Sequence, residues 1–141
     1  MYKQMYKNFK PEILNLTNAM FKTLPNVMGC RTVWSMPRKE AKIIFNVWLR
    51  EASKIYKVKC PKLVFEWNDE TIDRMNPITN TITLSKISVV NLLHEFKHWL
   101  DYNNNINPSE KNARGWSVSL FNKVLPRRYT KAVEKELLLY E

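Results

Sequence analysis

Histidine is nearly missing from this chain of 141 residues, which holds two, and cysteine is equally scarce. Cys30 and Cys60 have neither metal-ligand spacing nor enough partners to form a disulfide framework. They read as reduced structural thiols, and no spare histidine is available to activate either as a nucleophile. No run of about 18 apolar residues occurs, so no membrane-spanning helix is predicted and no membrane partner is expected. The first ten residues are basic but lack the apolar centre of a signal peptide. A cytoplasmic location is the resulting expectation. Internal repeats are missing too, and the cluster around Asn103, Asn104 and Asn105 is the one biased stretch.

Acidic residues are also in short supply: 23 Lys and Arg face 13 Asp and Glu, a net charge of +10. The imbalance is uneven, since residues 1–60 carry 12 basic against 3 acidic side chains, or +9. Residues 61–108 come to −2 and residues 109–141 to +3. A basic leading third facing a mildly acidic centre suits either a solubilising surface or an acidic partner, nucleic acid or protein. With 45% hydrophobic and 12% aromatic residues, the composition is that of a globular chain. One domain is expected, with a basic helical part (1–58), a core (59–125) and a C-terminal helix (126–141).

Helical spacing of apolar residues runs from Pro11 to Thr23, with Ile13, Leu14 or Leu16, Ala19 and Met20 facing inward. Pro25 and Gly29 break it, and Arg31 to Met36 reads as a short extended piece. Pro37 opens a second helix reaching about Tyr56. Ala41, Ile44, Val47 or Trp48, Ala52 and Ile55 form its inner stripe, and Lys39, Lys42, Arg50 and Lys54 point outward. The period then changes to two. Lys62 to Trp67 and Thr79 to Ser85 are predicted strands, separated by a loop carrying Asp73, Arg74 and Asn76-Pro77. Ser85 or Ser88 can cap the next helix, whose inner stripe is Val89, Leu93, Phe96 and Leu100. After the Asn-rich turn, Ser109 caps a further helix. Pro126 is expected to stop that helix, and a last one is predicted over Lys131–Tyr140. The pattern is α+β.

Both histidines fall inside one motif, His94-Glu95-Phe96-Lys97-His98. Positions four apart share a helix face, so two imidazoles converge on one point. Such a pair can hold one Zn²⁺ with ring nitrogens about 2.0–2.1 Å from the metal. Glu95 is turned beside the ion, where it can take a proton from a metal-bound water. A chance occurrence of H-E-x-x-H in such a chain is roughly a one-in-several-hundred event. A metal site is therefore the better reading than a structural helix that happens to carry two histidines.

Catalytic zinc usually takes a third protein ligand. Glu110 begins the next helix, and the turn at Asn103–Pro108 can fold it back against the first. Asp101, on the histidine helix itself, better suits a supporting hydrogen bond; Glu134 and Glu136 are further candidates for the ligand. A transition-state oxyanion needs a donor beside the metal. Tyr129, Tyr102, Arg127 and Arg128 are chemically able, with Tyr129 preferred. The strand through Thr81, Ile82 and Thr83 would, if it has an exposed edge, accept a substrate peptide as an added strand.

The pairing of H-E-x-x-H with Glu110-Lys-Asn-Ala113 resembles the gluzincin type of zinc peptidase. The run Glu110–Phe121 is similar to that of the ImmA/IrrE-like metallopeptidases, and the preceding Asn80–Leu84 and Leu93–Asp101 resemble the edge strand and active helix of small zincins, more distantly SprT-like ones. The likeness covers roughly residues 60–125. It departs at Arg114, where those families commonly have Asn or Asp, and in lacking the third histidine of SprT-like enzymes. What it implies is a small zincin-like domain: helices on a short twisted sheet of two to three strands, the active-site helix followed by the helix with the third ligand. It further implies a zinc-dependent endopeptidase with His94, His98 and Glu110 as ligands, Glu95 as general base, and a peptide or protein substrate.

Overall fold

Trp48 and Phe96 meet edge to face with ring centroids 5.0 Å apart, and the helices that carry them frame the core. The computed structural model describes residues 5–23, 37–66 and 72–134. Within them five helices pack on a three-stranded mixed sheet, an α+β architecture. Helix α1 (Pro11–Thr23) buries Ile13, Thr17, Met20 and Phe21. Ala19, expected inside, is exposed. Thr17 takes that face because the Trp48 indole N–H donates to its Oγ1 at 3.1 Å, satisfying a buried donor. Helix α2 (Arg38–Tyr56) buries Ala41, Phe45, Trp48, Leu49 and Ala52. Its inner stripe is rotated by about one residue from the predicted one. Phe45 is wholly buried where Ile44 was expected, and Val47 is 46% exposed. The large rings, richest in apolar area, decide the rotation.

Strands β1 (Lys62–Phe65), β2 (Arg74–Asn76) and β3 (Thr81–Leu84) lie in the order β1-β3-β2. β1 runs parallel to β3 with Leu63 opposite Ile82, and β2 runs antiparallel with Met75 opposite Ile82. This corrects one expectation. Thr81, Ile82 and Thr83 belong to the middle strand, bonded on both sides, and offer no free edge. Ile82 and Leu84 are wholly buried and Thr83 nearly so, as a central strand requires. β2 lies where a loop was expected, because three residues are too few to display alternation. The turn between β2 and β3 is set by Asn76, whose Oδ1 accepts from the Ile78 and Thr79 amides at 3.0 and 3.2 Å. Asn80 adopts the left-handed conformation (φ 55°) at its end.

Helix α3 (Val89–Asn103) is capped by Ser88, whose hydroxyl accepts from the Asn91 amide at 3.3 Å. Val89, Leu93, Phe96 and Leu100 are all buried, together with Leu92 and Trp99. Helix α4 (Glu110–Val124) is capped in the same way by Ser109, which accepts from Asn112 at 3.0 Å. Helix α5 spans Pro126–Glu134, so Pro126 opens it instead of only stopping α4. A proline suits the first turn, where the missing N–H has no intrahelical partner to lose. Cys30, the Arg31–Met36 piece, Trp67, Glu136 and the predicted end at Tyr140 lie outside the described residues.

The buried cluster runs continuously from Ile13 to Leu120, so α1 and α2 share one core with α3 and α4. The segment before α1 joins it through Phe9, whose ring lies 6.0 Å from that of Trp116. Among the described residues no helix is long and apolar enough to cross a membrane.

Candidate metal centre

His94 and His98 sit one turn apart on α3, and their rings meet edge to face with centroids 4.9 Å apart. The Asn-rich turn carries the chain out of α3 and back into α4. Asn105 makes it possible with a left-handed φ of 57°, and the Ile106 amide donates to the Asp101 carbonyl at 2.8 Å. Glu110, first residue of α4, then meets both imidazoles. His94 Nε2 lies 3.2 Å from its Oε2, and His98 Nε2 lies 2.9 Å from its Oε1. The three side chains offer ligand atoms all within 4.8 Å of one another.

Whether that spacing fits a cation is a matter of simple geometry. Tetrahedral coordination at about 2.0–2.1 Å sets donor atoms roughly 3.3 Å apart. The two His–Glu separations of 2.9 and 3.2 Å run to different oxygens of Glu110, so the carboxylate would turn to present one oxygen, or both, to a shared ion. Both imidazole nitrogens stand within hydrogen-bond distance of the carboxylate, the contacts a divalent ion would take over. Protonation states agree with this use. Burial pushes His94 below the ordinary imidazole value; Glu110 opposes, while His98 and Arg114 push the same way. Burial would raise Glu110, but the charges of His94, His98 and Arg114 and a hydrogen bond from His98 outweigh it and hold it below the usual carboxylate range. A neutral imidazole and an ionised carboxylate are the ligating forms. His94, His98 and Glu110 could hold a metal ion.

Glu95 lies beside this cluster without joining it, 5% exposed, with Oε2 3.9 Å from His94 Nε2. Burial first, then the charges of Asp73 and Glu110, push its carboxyl up to about 8. Such a group can hold a proton near neutral pH. The cluster opens into a cleft of about 670 Å³. α3 supplies one wall with Asn91, Glu95 and Tyr102, β2 and its approach supply another with Asp73, Arg74 and Met75, and α4 contributes Arg114. Asp73 ties two walls together. Its Oδ1 accepts from the Ser85 amide at 2.5 Å and its Oδ2 from Asn91 Nδ2 at 2.6 Å.

Two expected residues stand elsewhere. Tyr129 is buried on α5 against Phe121, ring centroids 6.3 Å apart, and does not line the cleft. Its place in the packing comes from the apolar ring. Asp101 is 1% exposed and pairs with Lys97 at 2.8 Å one turn back, so its charge is used within α3. Tyr102, the neighbouring candidate, does line the cleft and stacks on Trp99 at 5.8 Å. The β2 wall was missed altogether; the Asp73-Arg74 pair between two strands was its only signal. Compared with known proteins, the chain matches no family model, no curated protein and no solved structure.

Proposed function

We propose that the chain is a zinc-dependent peptidase, with His94, His98 and Glu110 as its metal ligands. The observation that carries the reading is one donor set, two imidazoles from α3 and a carboxylate from α4, facing an open cleft with a carboxyl of raised pKa beside it. Two nitrogens and one carboxylate oxygen suit Zn²⁺, and three protein ligands leave a position open for chemistry. When bound, zinc would acidify water and polarise a carbonyl. Glu95 takes a proton from the attacking water and returns it to the departing amine. Tyr102, two helical turns beyond His94 on α3 and 48% exposed, donates toward the developing oxyanion. The open edge of β2, among the described residues, offers backbone groups to an extended peptide in place of the covered β3. Likeness to gluzincins in the H-E-x-x-H and Glu110–Ala113 motifs supports the same reading.

The deciding experiment follows metal content and peptide hydrolysis together in wild type and Glu95→Gln. Retained zinc with lost hydrolysis is expected. Unchanged turnover in that variant sinks the general-base role, and no zinc in wild type sinks the whole assignment.

A second reading concerns the exposed face of α2, where Lys39, Lys42, Arg50, Lys54 and Lys57 point to solvent. It would dock a nucleic-acid backbone, with affinity falling steeply as salt rises. Because α1 and α2 build the core, charge reversal is the proper test and deletion is not. Undiminished DNA binding after Lys42→Glu and Arg50→Glu together would exclude this face.

A further inference from the structure

Arg114 stands one turn after Glu110 on α4, its Nη2 4.0 Å from Glu110 Oε2, and its side chain is 40% exposed. It lines the same cleft as the metal cluster. Arg74 lines the cleft from β2, 51% exposed, with Nη1 donating to the Ile72 carbonyl at 3.2 Å and Nη2 3.5 Å from Glu66 Oε2. The acids of the cleft have contacts within the protein. Asp73 accepts from the Ser85 amide and the Asn91 side chain, Glu95 is buried, and Glu110 faces both imidazoles. The cleft lining thus carries two guanidinium groups, of Arg74 and Arg114, beside the carboxyls of Asp73, Glu95 and Glu110. The net +10 of the chain adds a long-range attraction for an anionic ligand.

We propose that Arg114 selects substrates, by binding a carboxylate that the peptide carries next to the cleaved bond. A guanidinium presents parallel N–H donors whose spacing matches the two oxygens of a carboxylate. Its Nη2 lies 4.0 Å from the proposed ligand Glu110, so the fork stands beside the place where a bound peptide would be cleaved. The carboxylate comes either from an Asp or Glu side chain or from the end of the substrate chain. The inference rests on the peptidase reading, so its test reads binding as well as turnover.

Three Ala-based hexapeptides serve as probes: one amidated with a central Glu, one amidated with Gln there, and one with Gln and a free C-terminal carboxylate. Fluorescence anisotropy with zinc-loaded Glu95→Gln protein measures affinity, and wild type measures hydrolysis. A carboxylate-bearing peptide is expected to bind about three- to tenfold tighter than the neutral one, as for a charge-assisted contact at a half-exposed site. The arm that shows the preference, central or terminal, identifies the source. Adding Arg114→Gln removes the difference, and Arg114→Glu, measured also with a fourth, amidated peptide carrying a central Lys, turns the preference toward that peptide, a gain that loss of structure would not give. Lys111→Gln, exposed on the same helix and outside the cleft, leaves the ratio as it was. Equal affinity for all three peptides, or a preference that survives Arg114→Gln, overturns the inference. Hydrolysis without preference overturns it alone, whereas preference without hydrolysis overturns only the peptidase reading.

Discussion

His98 Nε2 and Glu110 Oε1 stand 2.9 Å apart across the junction of two successive helices. The same carboxylate reaches His94 through its other oxygen at 3.2 Å. One residue therefore closes the donor set from the α4 side. Replacing it, or His98, should cost zinc affinity by more than about 100-fold, beyond the loss expected from removing a supporting partner. Wild type should also melt higher with zinc, by about 2.7 kcal/mol at a hundredfold excess over Kd. In Glu110→Ala and His98→Ala that gain should vanish. Mass spectrometry for metal and melts with and without zinc check both. A zinc-stabilised Glu110→Ala protein would move the third ligand elsewhere.

Asp73 is the fastening between the β2 wall and α3. Asp73→Ala removes the acceptor for the Ser85 amide and for Asn91 Nδ2, at a cost of about 1–3 kcal/mol. It also removes a negative charge that helps raise Glu95, whose pKa should then move down toward the ordinary value. Urea denaturation measures the first effect. Carboxyl titration of the metal-free protein by NMR measures the second.

Much of this molecule could be read before its coordinates. The caps Ser88 and Ser109 and the inward stripe of α3 follow from local rules, because each depends on residues within one or two turns. His94 and His98 share a face by helix periodicity alone, and Glu110 needed only a turn short enough to reverse the chain. What escaped was set by distant partners. Strand order decided that Thr81–Thr83 is covered, and no local pattern encodes which of three short strands lies in the middle. Tyr129 and Tyr102 carry the same hydroxyl, and packing against Phe121 or toward the cleft separates them. The inward turn of Thr17 on α1 goes with the Trp48 indole that donates to it, a contact between residues of different helices.

Tyr102→Phe should isolate the hydroxyl proposed as an oxyanion donor. The ring's stacking on Trp99, at 5.8 Å and 13°, is kept in phenylalanine. A drop in kcat of about 10–100-fold with KM nearly constant is expected, since the donor acts on charge that develops only in the transition state. The lower end is favoured because the residue is 48% exposed and water competes for the same position. A change confined to KM would make Tyr102 a substrate contact instead.

Glu95 gives the metal-free protein a pH signature whose sign can be worked out. Its folded pKa is raised to about 8 from an ordinary value of 4.5, by burial first and then by Asp73 and Glu110. Between those values the folded chain keeps a proton that the unfolded chain has released. Stability therefore falls as pH rises through this window, with a limiting contribution of about 1.4 kcal/mol per pH unit. His94, which is lowered, works in the opposite direction where the unfolded imidazole is still protonated, near and below an ordinary value of about 6.5. The clean interval is thus roughly pH 6.5 to 8, where Glu95 dominates. Glu95→Gln removes the carboxyl and should flatten the curve of chelator-treated protein there, leaving the variant more stable than wild type at pH 8. Parallel slopes in the two proteins, measured by urea denaturation, would show that the carboxyl is already ionised in the metal-free fold and that burial does not raise it.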